Sequence, residues 1–360
     1  MSREKLQKIS LVLLGLSSLA LIIFLLLPKK EKSVSVLPPS NVPVASPSPS
    51  SSESATPTPF KVAVPKVSFT EKEEAIWRNE NTRVDVNLES DNLDKVRPIY
   101  TRKTTNTDLT NSKAKDMAKT FGFLDLPEET SGPDGIKWTW EQGSKALSLV
   151  FSTRKIHYLV DSVQDESMLS PGVNIVESEA KSAGIEFLQQ KGLLGTYIDT
   201  QNPTFNYFGN EDLQTDRPSP TSKEIAQIKF PLKLDDTPLL IDRPSENFVL
   251  VTVTSKNVVI GLKMKLYDAV WEKWQNVGLT GVDKAIETVK SGGGVLVENE
   301  GNTLFSQTLA SFNLTNASLA YYGSNKDASY LQPVYVFEGE GMLEDLQKTK
   351  VIVYTTAVDY

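Results

Sequence analysis

The stretch NSKAKDMAKTFGF, residues 111–123, followed by IKWTWEQGSKALSLVFSTRKIHYLVD, residues 136–161, decides how this chain is read. In the first part Ala114, Met117, Ala118 and Phe121 fall at i, i+3, i+4 and i+7, the stripe of an amphipathic helix. Gly122 supplies the residue on which such a helix ends. In the second part the pattern switches to alternation in three runs, IKWTWEQ, KALSLVFS and KIHYLVD, with bends at Gly143-Ser144 and Thr153-Arg154. A short amphipathic helix and a half-polar sheet each have one face to hide, and covering each other solves both problems.

The same order recurs downstream. Ser178–Lys191 places Ala180, Ala183, Gly184, Phe187 and Leu188 on one face and stops at Gly192. It lines up with the first helix as Ser112-x-Ala114-Lys115 and Phe121 against Ser178-x-Ala180-Lys181 and Phe187. Strand candidates follow at TFNYFG, IAQIKFPLKL, NFVLVTVTS and VVIGLKMKLYD. A third helix is expected over Val282–Ser291, opened by a Thr280-x-x-Asp283 cap and closed by Gly292-Gly293-Gly294. ASLAYYG, YLQPVYVFEG and KVIVYTTAV read as three more strands.

Upstream, Ile9–Leu27 holds no charge and only Ser10, Ser17 and Ser18 as polar residues. As a helix it would measure about 28 Å, close to the hydrocarbon core of a bilayer. It ends in Pro28-Lys29-Lys30 with no small-residue cleavage pattern, so an uncleaved membrane span is expected. Arg3, Lys5 and Lys8 before it balance Lys29, Lys30 and Lys32 after it, so the charge rule leaves orientation tied. Pro28–Lys66 is rich in Pro, Ser and Thr, the composition of an extended, solvated stalk, which favours an extracytoplasmic body. The fold class expected is therefore α+β: two or three modules, each of one helix packed on a small antiparallel sheet, preceded by a single transmembrane helix and a disordered linker. Residues 1–8 form a cytoplasmic tail, 9–27 the span, 28–66 the stalk and 67–171 the first module, ending at Ser170-Pro171-Gly172. A larger helix-plus-sheet region occupies 172–360, with a sub-boundary near 280.

The chain carries −7, and the span's flanks hold six Lys/Arg against Glu4 and Glu31, so the body from Ser33 onward is at −11. An acidic body does not suit nucleic acid, whose binding depends on cations that displace counterions. The absence of cysteine removes disulfides, thiolate zinc sites and cysteine nucleophiles together.

The helix AKDMAKTFGF, the Gly281-Val282-x-x-Ala285 helix ending in Ser291-Gly292, and the closing ASLAYYG, YLQPVYVFEGEG and VIVYTTAV form a pattern that resembles the YycH/YycI-type regulators of a bacterial sensor kinase and, more loosely, PepSY-like domains. The resemblance covers about the last 250 residues. It implies a binding or inhibitory module acting on a membrane kinase or an extracytoplasmic peptidase.

Candidates for chemistry are sparse. His157 is the only histidine, which excludes two-His zinc motifs, and it reads as a surface or half-buried strand residue. No G-x-S-x-G elbow is present to supply a serine nucleophile. Gly292–Gly294 follows a helix rather than preceding one, so it reads as a helix end and not a phosphate loop, and Gly339 and Gly341 read as turn formers. The acidic runs Asp85–Asp94 and Asp235-Asp236 lack the calcium-loop spacing and read as solvated charge. Trp138 and Trp140 share a strand face, and Trp271 and Trp274 a helical one. Tyr321, Tyr322, Tyr330 and Tyr335 gather in the last sheet, where Pro333 marks an edge or a bulge, and they form the candidate partner-binding surface. No catalytic, cofactor or metal residue is assigned and the chain is not expected to be an enzyme. The function expected is that of a membrane-anchored, extracytoplasmic protein that binds or regulates another envelope protein or peptide. The alternatives are a carbohydrate-active envelope enzyme using paired carboxylates, and a structural surface protein.

Overall fold

Alternating sequences commit to strands, but only pairing partners decide how many sheets they make. The computed structural model describes residues 66–67, 69, 82–84, 95–103, 109–161, 166–170, 172–209, 222–241, 247–266, 270–297, 309–323, 329–343 and 347–360. Numbered along the chain, the first half holds strands β1 (Thr82–Val84), β2 (Val96–Lys103), β3 (Glu128–Gly132), β4 (Gly135–Gln142), β5 (Lys145–Val150), β6 (Lys155–Val160), β7 (Thr204–Phe208) and β8 (Ile225–Pro231). The second half holds β9 (Lys233–Leu234), β10 (Thr237–Ile241), β11 (Phe248–Thr254), β12 (Val259–Lys265), β13 (Val270–Gly278), β14 (Val295–Val297), β15 (Leu309–Gly323), β16 (Tyr330–Leu343) and β17 (Lys348–Thr356). The helices are α1 (Asn111–Thr120), α2 (Glu177–Gln190) and α3 (Val282–Lys290).

One sheet has eight strands in the order β3-β4-β5-β6-β12-β11-β8-β7, antiparallel throughout. It is two four-stranded halves joined at their last strands, from Gly261↔Leu159 to Lys265↔Lys155. Each half carries its own helix. Lys115 of α1 lies 5.9 Å over Trp138 of β4, and Phe121 packs 5.0 Å from Tyr158 of β6. Helix α2 lies over β8, β11 and β12, where a Cβ on Gly184 would rest 3.6 Å from Phe230 and Val251. Ala114 and Ala118 of one helix thus match Ala180 and Gly184 of the other as the buried contacts, in the order that the sequence alignment sets. The two helix ends meet: Phe121 and Phe187 are 6.0 Å apart, and the Lys191 ammonium sits over both rings and donates to the Thr120 carbonyl at 2.7 Å.

All three α-helices among the described residues stop in the same way. Phe123 donates to Ala118 and Gly122 to Lys119; Leu193 to Leu188 and Gly192 to Gln189; Gly293 to Thr288 and Gly292 to Val289. Each is a Schellman cap, with Gly122, Gly192 and Gly292 at positive φ. The entry of α3 differs from the expected Thr280 cap, since its N-cap is Gly281 without a side-chain bond. Instead the Tyr335 hydroxyl donates to the Thr280 carbonyl at 2.7 Å.

The second sheet has nine strands among the described residues. Its spine is the β15–β16 pair, paired from Leu309↔Leu343 to Tyr322↔Gln332. The outer edge of β15 is shared by two short parallel partners, β1 at Phe312–Leu314 and β10 at Tyr321–Gly323. The other edge of β16 is shared by β17, from Val334 to Met342, and β2, at Tyr330 and Leu331. Strands β9 and β10 are inserted between β8 and β11, so the chain leaves the eight-stranded sheet, adds to the other and returns. A shared core follows, in which Tyr100, Leu239, Tyr321 and Leu331 cluster with residues of the eight-stranded sheet.

Several expectations are corrected. The body is mostly β, built as two large sheets, rather than two or three modules of one helix on a small antiparallel sheet. A four-stranded unit would leave the backbone groups of β6 unpaired, and β12 satisfies them by merging the halves. Trp271 and Trp274 lie on strand β13, not on a helix, with a register shift between Lys273 and Gln275. Gly339 and Gly341 lie within β16 rather than at a turn; a Cβ on Gly339 would collide with the Asn313 carbonyl. Pro333 is in the central strand of this sheet rather than at an edge; its carbonyl accepts from the Ala357 N–H at 3.2 Å, and its missing N–H is tolerated because the Ala357 carbonyl accepts from the Thr280 N–H at 2.8 Å instead. The apolar run Ile9–Leu27, most of the 28–66 stalk and Asp85–Asp94 lie outside the described residues. Among the described residues no helix is long and apolar enough to cross a membrane. A single-pass helix and PepSY-like helix modules are thus no part of the architecture seen.

Candidate binding face

The four tyrosines expected to form a surface are dispersed. Tyr321, Tyr322 and Tyr335 are buried, and Tyr330 is half-buried. Each joins a different apolar cluster: Tyr321 the core between the sheets, Tyr335 the face under α3, Tyr322 the opposite face with Tyr354, and Tyr330 the group of Ile99, Val277 and Val358. Tyr321 meets Tyr100 edge-on at 5.1 Å, and Tyr330 lies 5.2 Å from Trp274, whose own exposure is 44%. Trp138 and Trp140 are both buried, edge-on at 5.9 Å. These aromatics pack the interior and do not assemble an exposed face.

Asp235-Asp236, read as solvated charge, does more. The pair forms the two-residue turn of the β9–β10 hairpin, with φ of 46° and 61°, the left-handed conformation that such a tight hairpin demands and that Asp tolerates better than most residues. Asp235 Oδ2 accepts from the Tyr100 hydroxyl and pairs with Lys273 Nζ at 2.8 Å. The Lys273 bond and then the Tyr100 bond hold this carboxyl below its usual range. Burial first, and then the bond to Asp235, drive the Tyr100 phenol far up. Nearby, Lys233 bridges Asp199 at 3.3 Å and Asp236 at 3.4 Å. Burial would raise Asp199, but bonds from Asn202, the Gln201 N–H and Lys233 overcome it and keep the carboxyl low. Carboxylates held ionised and paired in this way tie the hairpin to β2 and β13; a general acid needs the opposite shift.

The remaining feature is the side of the eight-stranded sheet that the helices do not cover. Alternate residues point to opposite faces, and Trp138, Leu147, Tyr158, Leu262 and Val251 point into the core. The register brings the intervening residues into cross-strand rows. One row runs Thr139, Ser148, His157, Lys263, Leu250, Lys229. The adjacent row runs Lys137, Val150, Lys155, Lys265. Five lysines and the only histidine therefore lie on one side of the sheet in a chain whose net charge is −7; Lys137 and Lys263 are exposed, Lys155 and Lys229 half-buried and Lys265 buried. Glu128 on β3 and Glu141 on β4 are the acids of this face on the same four central strands and their edge. Among the described residues neither Lys137 nor Lys263 is in ion-pair contact with a carboxylate, and both side chains are exposed. His157, also exposed at its rim, is held below its ordinary pKa by partial desolvation on the sheet and then by the positive charges of Lys263 and Lys137. Val150 lies between Lys137 and Lys155, and Leu159, 48% exposed, lies one row beyond His157 between Ala146 and Gly261.

No family model matches the chain, and no curated protein matches it. Among solved structures it is similar to the crystal structure of an uncharacterized protein from Eubacterium rectale, with 11% identity, 77% of this chain and 88% of that chain covered, and a TM-score of 0.47.

The face can attract and orient anions, and it sets the Ser148 hydroxyl position beside His157. Sequence reasoning passed over it because each lysine is an unremarkable polar position of its own strand. A signal existed: the outward positions of KIHYLVD and VVIGLKMKLYD include Lys155, His157, Lys263 and Lys265 against one acid, Asp161.

Proposed function

We propose that this protein is a binding module that engages another protein of the cell envelope through the helix-free face of its eight-stranded sheet, and that the body works on the extracytoplasmic side. The observation that carries the reading is the exposed Lys137, His157 and Lys263, with the half-buried Lys155 and Lys229 beside them, in two adjacent cross-strand rows. Charge displayed on a rigid sheet loses little entropy on docking and selects partners by complementarity. The carboxylates gathered at the β9–β10 hairpin are ion-paired and low in pKa, which favours the binding reading over acid–base hydrolysis. The envelope setting rests on the apolar run Ile9–Leu27 and the Pro/Ser/Thr-rich segment that follows it in the sequence.

Site-specific photocrosslinking in cells producing the full chain tests this. A photoreactive residue in place of Leu159 is expected to capture a discrete protein, and one in place of the exposed Lys290 on α3 is not. Equal capture at both positions, or none at Leu159, would overturn the proposal.

A further inference from the structure

We infer that the partner presents an extended acidic peptide segment, a short run rich in Asp and Glu, to the lysine rows of the open sheet face. This rests on the binding reading above and names the chemistry of its partner. Lys137 on β4 lies three strand spacings from β12, about 14 Å at ~4.8 Å per strand, in a row that ends on the buried Lys265. An extended chain advances about 3.3 Å per residue, so four or five residues cross the row. Lys263 and His157 in the next row flank the same path. Val150 between Lys137 and Lys155, and Leu159 on the far side of His157, offer apolar contact for side chains alternating with the acids.

The size of the patch separates this ligand from larger anions. A membrane surface or a nucleic acid carries its charge far beyond 14 Å, and the rest of this chain more than cancels the five lysines, since the whole stands at −7. A long polyanion would meet net repulsion outside the patch, whereas a short acidic segment sees only the local field within a Debye length of about 10 Å. The exposed Lys137 and Lys263, with no carboxylate in ion-pair contact among the described residues, supply charge that a ligand can use without first breaking an internal pair.

The test uses the full chain held in a neutral detergent and four probes: a fluorescent peptide of about eight residues alternating Glu and Val, its Gln/Val counterpart, an oligonucleotide, and phosphatidylglycerol vesicles. Saturable binding of the acidic peptide alone is expected, weakening several-fold between about 50 and about 300 mM salt. The doubly substituted Lys137→Glu/Lys263→Glu chain is expected to bind it at least about ten-fold more weakly, while Lys290→Glu leaves it unchanged. Both lysines are exposed, so an unaltered melting curve shows that the double variant is folded. Preference for vesicles or oligonucleotide, equal binding of the Gln/Val peptide, or indifference to the double substitution each overturns the acidic-segment inference. If Leu159 crosslinking persists in that case, the binding face stands and only its ligand is wrong; if both fail, the binding reading fails as well.

Discussion

The two sheets use the same alternation to different ends. In the eight-stranded sheet one set of side chains is buried under α1 and α2; the other carries exposed charge at Lys137, His157 and Lys263, while β11 is buried on both faces. In the nine-stranded sheet both sets are apolar: Tyr335 and Phe337 of β16 pack beneath α3, and Val334 and Val336 pack on the other side with Tyr354. The eight-stranded sheet is also regular, two halves related by one repeated pattern. The nine-stranded sheet is a patchwork of short strands around one long pair. A strand buried on both faces reads as an unbroken apolar run, VYVF, whereas a half-open one reads as KIHYL. The nine-stranded sheet thus supplies buried apolar packing on both faces, and the recognition role proposed above falls to the exposed cations of the other.

The sharpest blow to this division is Gly339→Ala. The new Cβ meets the Asn313 carbonyl in the partner strand, so the spine must shift, at an expected cost of about 3 kcal/mol or more. Denaturant unfolding measures it, and hydrogen exchange should show amides of β15 and β16 losing protection before those of β5 and β6. Simultaneous loss would mean that the shared core makes the two sheets one cooperative unit. Next comes Lys191→Ala, which removes the cation over Phe121 and Phe187 and the bond to the Thr120 carbonyl. It is expected to cost about 1–2 kcal/mol in thermal unfolding, through loosened contact between the two helices. Tyr100→Phe, which deletes the donor to Asp235 and weakens the tie of the hairpin to β2, is expected to cost about 1 kcal/mol by the same measurement.

Smaller still is the stability effect of Lys137→Glu/Lys263→Glu, expected within about 0.5 kcal/mol because both side chains are exposed. A larger loss would place the lysines in the architecture rather than on a recognition surface. The smallest effect is the titration of His157. Its pKa in the folded protein is lowered, so the unfolded chain binds the proton more readily. The stability it contributes is present in full above the unfolded value of about 6.5 and is lost as pH falls through the folded value. Since it is the only histidine, its imidazole NMR resonance reports that midpoint directly, and Glu at positions 137 and 263 should raise it.

Much of the local structure was legible. The stripe Ala114, Ala118, Phe121 and its echo Ala180, Gly184, Phe187 name the buried helix faces, because 3.6-residue periodicity is a local property. Gly122, Gly192 and Gly292 mark the helix ends, because only a residue that accepts positive φ completes a Schellman cap cheaply. The tyrosines were misplaced because a strand covered on both faces buries its neighbours in separate clusters, and periodicity cannot say that a second layer lies above.

What the sequence determined by itself is therefore the set of elements, their caps, the repeat of helix and strands, and the excess negative charge. What only the tertiary structure decided is which strands pair. The junction of β6 with β12 joins residues about a hundred positions apart, and it alone places His157 beside Lys263 and Lys155 beside Lys265. Period-two alternation tells each strand which side chains face out. The register between distant strands, fixed by backbone bonds and shared core, decides which outward charges stand together.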